Sequence, residues 1–138
     1  MWQPDPFEFN ETEKRRHHGY VVLFLIFLSL LFCAQVTINL YALTDEETAA
    51  QVQRGPFPPW SLGLQALCGA MNLMWIAAIY FWQRIGFYGF LATNLGMMAI
   101  HLACHLDPKL AGLPLVSVVL MFIALHVGAP RSTWAQMR

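Results

Sequence analysis

Residues 20–43 read YVVLFLIFLSLLFCAQVTINLYAL, a run with no Asp, Glu, Lys or Arg. An α-helix rises about 1.5 Å per residue, so this stretch exceeds the ~20 residues that cover the hydrocarbon core of a bilayer. Three further runs, Trp60–Trp82, Ile85–Leu106 and Leu110–Val127, are equally free of charge. The backbone of a helix satisfies its own polar groups, which is what a spanning segment needs in lipid. The reading is an all-α integral membrane protein. It comprises a four-helix transmembrane bundle over residues 20–128, an N-terminal tail at 1–19 and a C-terminal tail at 129–138. The apolar run at 20–43 is longer than the h-region of a signal peptide and lacks a small-residue cleavage pattern, so it is expected to stay as an anchor.

Composition supports the same class. Of 138 residues, 57% are hydrophobic and 12% charged, against about 25% charged in soluble domains. Eight basic and eight acidic residues leave no net field to attract nucleic acid or an acidic partner. The short run Lys14-Arg15-Arg16 is explained by topology instead. Lys14, Arg15, Arg16, Arg84, Arg131 and Arg138 fall on one side of the expected spans, and Arg54 and Lys109 on the other. By the positive-inside rule both termini are then cytoplasmic, and the expected location is a bacterial inner (plasma) membrane. Cys33, Cys68 and Cys104 all lie in spans and form no C-x-x-C, which leaves thiol exchange without a motif.

The tails and loops carry weaker signals. Trp2, Phe7 and Phe9 lie between prolines and acids in the N-terminal tail, as a partner-docking segment or as rings resting at the membrane interface. Asn10 and Glu13 fit a capping box leading into span one. Thr44-Asp45-Glu46-Glu47 repeats the Thr-x-x-Glu pattern and predicts a short extracytoplasmic helix between spans one and two. That helix should close near Arg54, with Gly55 and Pro56 just beyond. The turns near Gln83-Arg84 and Asp107-Pro108-Lys109 are short, so spans two, three and four should pack as antiparallel neighbours. Lipid is as apolar as leucine, so helices in it associate through close packing. Gly86, Gly89, Thr93, Gly96, Ile100 and Ala103 make a mostly small stripe on span three; span two offers Gly63, Ala66 and Ala70, with Gly69 beside them.

Polar residues concentrate in the outer half of the expected bundle. Gln35 and Asn39 lie there on span one, Gln65 on span two and His101 on span three, with Asn72 and Asn94 near the midplane. Three readings fit this cluster. It could be interhelical glue, since amides and imidazoles bridge membrane helices. It could hold a metal ion, because His101 and His105 at i and i+4 can direct two imidazoles to one point. Or Gln35, Asn39, Gln65, Asn72, Asn94 and His101 could line a pocket for pigment, haem, quinone or lipid. Bis-histidine haem finds no support within the outer half, because His126 lies at the inner end of span four, where only His18 could meet it. No acid–base pair, Ser/His/Asp set or phosphate loop is placed for catalysis. The expected function is a non-catalytic accessory or assembly subunit that packs against other membrane proteins or forms a homo-oligomer in membrane lipid. The alternative is a small-ligand binding or transport protein using the outer polar pocket, and the sequence identifies no cofactor.

Overall fold

In the computed structural model, the described residues are 19–45, 47–48, 50, 57–127 and 132–137. The N-terminal readings at Trp2, Phe7, Phe9, Asn10, Glu13 and His18 lie outside them, as do Arg54 through Pro56. The chain is all-helical among the described residues: α1 (Gly19–Thr44), α2 (Pro59–Tyr80), α3 (Arg84–Ala103), α4 (Pro108–Ala111), α5 (Leu113–His126) and α6 (Thr133–Gln136). Four spans, the last formed by α4 and α5 together, are long and apolar enough to cross a membrane. The protein is a multi-pass membrane helical bundle. Its large exposed side chains, such as Leu23, Leu30 and Ile38 on α1, are those expected on a lipid-facing surface.

Helix ends are set by local chemistry. At the end of α2, Trp82 N–H donates to the Ile79 carbonyl and Gln83 N–H to the Ala78 carbonyl. At the end of α3, His105 N–H donates to Leu102 and Leu106 N–H to His101. Both are Schellman closures, which place one residue in the left-handed region. Here that residue is not glycine: Trp82 has φ 64° and His105 φ 58°. Spans two and three therefore stop short of Trp82 and Leu106, where hydropathy alone had carried them.

The fourth span is interrupted at Gly112. Pro114 has no N–H to give to Leu110, and its ring crowds that carbonyl, so the ladder restarts with Leu115 N–H on the Gly112 carbonyl. Asp107 caps α4 by accepting from Lys109 N–H at 2.8 Å. In the first loop, Glu47, Thr48 and Ala50 are helical. The cap is Asp45, one residue later than the sequence pattern implied: its carboxylate accepts from the Thr48 N–H at 2.9 Å and from the Thr48 hydroxyl. Those two bonds, the hydroxyl's first, hold its pKa below the ordinary carboxylate value. Thr44 instead turns its hydroxyl back onto the Leu40 and Tyr41 carbonyls and ends α1.

Consecutive spans pack against one another, α1 on α2, α2 on α3 and α3 on α5, whereas α1 and α5 meet only sparingly. Glycines set two of these approaches. A Cβ on Gly69 would lie 2.7 Å from Val36 Cγ2 of α1, and one on Gly86 would lie 2.8 Å from the Ile79 nitrogen of α2. Gly63 and Gly96, also in the small-residue stripes, face open space. The apolar core, built from Val21, Leu25, Phe32, Ile79, Phe90 and Met121 among others, fills the half of the bundle near the chain termini. Phe32 and Phe90 meet edge to face there at 5.8 Å. Residues 132–137 pack onto this end of the bundle. Ser132 caps α6, and Trp134 packs on Phe87 at 5.4 Å and on His126 at 5.0 Å, with Arg84 above its ring.

Candidate functional site

Two groups of polar side chains occupy the other half of the bundle, toward the loop between α1 and α2, and they differ in how well they are satisfied. The first is a hydrogen-bonded network in which Asn72 Nδ2 alone is left without a partner among the described residues. Asn94, 1% exposed, donates through Nδ2 to Asn72 Oδ1 at 3.2 Å and to its own helix at the Phe90 carbonyl at 2.8 Å. Its Oδ1 lies 3.5 Å from the Ser117 hydroxyl, which donates chiefly to the Pro114 carbonyl at 2.7 Å. The network ties α2, α3 and α5 together at mid-bundle. A neighbouring bond does the same for α2 and α3: Trp75 Nε1 donates to the Thr93 hydroxyl at 3.0 Å, and that hydroxyl donates to the Gly89 carbonyl. In hydrocarbon these bonds act as interhelical glue.

The second group lines a cleft of about 590 Å³ that forms where α1 and α5 diverge. At the terminal end the two helices are joined, with the Tyr20 hydroxyl donating to the Val127 carbonyl at 2.6 Å. Toward the loop end they separate. Gln35 and Asn39 of α1, Gln65 of α2, His101 of α3 and Ser117 of α5 all face the gap. Leu31, Ile38 and Leu113, each at least half exposed, form its lateral lips, so the cleft opens sideways onto the lipid-facing surface. Phe57 covers the rim, its ring 5.4 Å from that of His101.

These lining groups are poorly satisfied. Asn39 is 7% exposed, yet its Nδ2 has no hydrogen-bond partner among the described residues, and neither has Nδ1 of His101. Gln35 Nε2 donates only to the Met97 sulfur, at 3.7 Å, and thioether sulfur is a weak acceptor. Gln65 Nε2 reaches the Ser61 hydroxyl at 3.5 Å. A buried donor without an acceptor costs roughly 1–3 kcal/mol in a protein interior, and lipid makes the alternative of water remote.

Of the six polar residues singled out from sequence, five line the cleft: Gln35, Asn39, Gln65, Asn94 and His101. Asn72 lies behind Asn94, fully buried, and meets the cleft only through it. The histidine pair is not assembled as a helical i, i+4 face. His105 sits past the end of α3 in left-handed backbone and is exposed. Among the described residues no group of three His, Cys, Asp or Glu side chains could hold a metal ion. Cys104 is buried beside this turn, Cys33 is exposed and Cys68 intermediate, all as free thiols. His126 donates from Nδ1 to the Phe122 carbonyl and stacks under Trp134, at the opposite end from His101. Phe57, Met97 and Ser117 were not anticipated. Ser117 and Met97 carry no signal beyond helical spacing, and Phe57 reaches the cleft only through the loop. Comparison with known protein families, curated proteins and solved structures finds no match for this chain.

Replacing His105 by glycine is expected to stabilise the fold by about 0.5–1 kcal/mol, because left-handed backbone costs a side-chain-bearing residue about 1–2 kcal/mol. Thermal unfolding in detergent checks this. A loss of stability would mean that the imidazole makes a contact worth more than the strain.

Proposed function

We propose that this protein is a non-catalytic membrane protein that binds an apolar small ligand in the lateral cleft between α1 and α5. The observation that supports it is a cleft of ligand size whose mostly apolar wall carries the polar side chains of Gln35, Asn39, Gln65 and His101. Small-molecule sites are concave, mostly apolar and supplied with a few convergent polar groups, typically at about 300–1,000 Å³. The basic residues near the termini further support an orientation with both ends in the cytoplasm, in a bacterial inner membrane.

The test is native mass spectrometry of the chain extracted from its own membrane in mild detergent. An added mass on the 15.7 kDa chain, reduced in an Asn39→Leu/His101→Leu variant that still unfolds cooperatively, is the expected result. A bare chain in both proteins would refute the reading.

A second reading, an accessory or assembly subunit, draws on a separate feature. Ala92, Gly96, Ala99 and Ala103 are exposed and follow one another at three- and four-residue steps on α3, and a Cβ on Gly96 would meet nothing. Small residues at such spacing let another helix approach closely. Multiples of the chain mass, or a second polypeptide, in the same spectra would favour it.

A further inference from the structure

Resting on the cleft-binding reading, we propose that the ligand is an acyl chain of a bilayer phospholipid, which enters sideways and lies along α1 in the gap before α5. The surroundings of the cleft define this class. Its lips, Leu31, Ile38 and Leu113, are exposed and belong to the same apolar surface as Leu23 and Leu30, so the cleft is continuous with the face that meets lipid. The wall open to an occupant is mostly carbon. Asn39 Nδ2 and His101 Nδ1 are enclosed within the protein, and the His101 imidazole bonds the Ala111 backbone. An occupant therefore meets chiefly methyl, methylene and ring surface, against which a hydrocarbon chain packs by dispersion.

The direction of the cleft fits the same occupant. Helices α1 and α5 are joined near the chain termini by the Tyr20–Val127 bond and separate toward the loop end. Along α1 the cleft runs from Leu28 to Asn39, about 16 Å at 1.5 Å per residue. Because α1 is a span, a groove along it runs beside the lipid chains. A chain lying there keeps its headgroup at the interface beside the loop end and its methyl end at mid-bundle, near Leu28. Occupancy is favoured on three counts. A dry gap forfeits the contacts of the atoms that line it, and water is scarce at this depth. Lipid is the solvent at the lips, so mass action fills the site with little intrinsic affinity. In the loop half the chain thereby supplies the packing that α1 and α5, which meet only sparingly, do not give each other.

The full chain should be reconstituted in phosphatidylethanolamine–phosphatidylglycerol vesicles with trace phosphatidylcholine bearing a diazirine near the end of one acyl chain. Photolysis and mass spectrometry then map the labelled residues. Leu28 and Phe32 line the cleft yet are only 3% and 8% exposed, so lipid reaches them through the cleft alone. Both are expected to be labelled, alongside Leu67 and Val119, which are exposed away from the cleft. Ala34→Phe, which fills the gap from an exposed position in its lining, should abolish labelling of Leu28 and Phe32 and leave that of Leu67 and Val119. Ala77→Phe, on an exposed face of α2 away from the cleft, should change neither. If Ala34→Phe does not fold, Ala34→Leu decides by the same criterion. Labelling of Leu28 and Phe32 that survives the filled gap would overturn the acyl-chain class. So would labelling of Leu67 and Val119 alone; a different added mass on the native chain, removed by Ala34→Phe, would then leave the cleft as a ligand site. Labelling of those two alone, with no such mass, would overturn both readings.

Discussion

Gly86→Ala is expected to destabilise the bundle by about 1–3 kcal/mol, the range for forcing added atoms into packed structure. The added methyl would fall 2.8 Å from both the Ile79 nitrogen and the Trp75 carbonyl oxygen, and 2.9 Å from Ile79 Cγ1. Two of those atoms are backbone, so no rotamer change relieves the clash; α2 and α3 must move apart. Separation would also pull Trp75 Nε1 from the Thr93 hydroxyl at 3.0 Å. Alanine's better helix propensity, worth up to about 1 kcal/mol over glycine, offsets part of the loss. Gly96→Ala is the matched control, since its Cβ would meet nothing; it should be neutral or slightly stabilising. Reversible unfolding in mixed detergent micelles separates the two variants. Equal stability of both would mean that the α2–α3 approach is looser than described.

Asn94→Leu is the other large effect. It removes the bonds to Asn72 and Ser117 and leaves the fully buried Asn72 amide with its Oδ1 as well as its Nδ2 unsatisfied. Single interhelical hydrogen bonds in membranes are worth about 0.6–2 kcal/mol, and a stranded buried polar group adds roughly 1–3 kcal/mol. A loss of about 2–4 kcal/mol is expected. Removing both partners by Asn72→Leu/Asn94→Leu should recover a large part of it, because the stranded group goes too. This cycle distinguishes a structural network from a binding site. Asn94 is a cleft-lining residue whose own bonds are complete, so Asn39→Leu should cost far less stability while reducing ligand occupancy.

Much of the architecture was legible in the chain because lipid imposes a simple rule, long runs without charge. Span limits were less legible. Trp82 and His105 are hydrophobic or span-compatible by type, and only the Schellman hydrogen bonds reveal that each leaves the helix in left-handed backbone. Pro114 in span four was visible in sequence, but the break at Gly112 follows from the carbonyl it crowds. The polar cluster was legible as a cluster, from helical spacing and depth. What spacing could not show was the division within it. Asn72 and Asn94 share a chemistry with Asn39, yet the first two bond each other while Asn39 Nδ2 has no partner among the described residues. The cleft depends on the sparse contact between α1 and α5, a tertiary property that no local pattern encodes. The packing of α6 had only Ser132 as a cap signal and Trp134 as an aromatic anchor.

The most direct test of the cleft is an experimental structure of the protein purified with its native lipids and crystallised from a lipidic mesophase. Continuous density between α1 and α5, in contact with Gln35, Asn39, Gln65 and His101, is the expected result. Helices α1 and α5 packed together along their whole length, with Asn39 Nδ2 bonded inside the chain, would contradict the account.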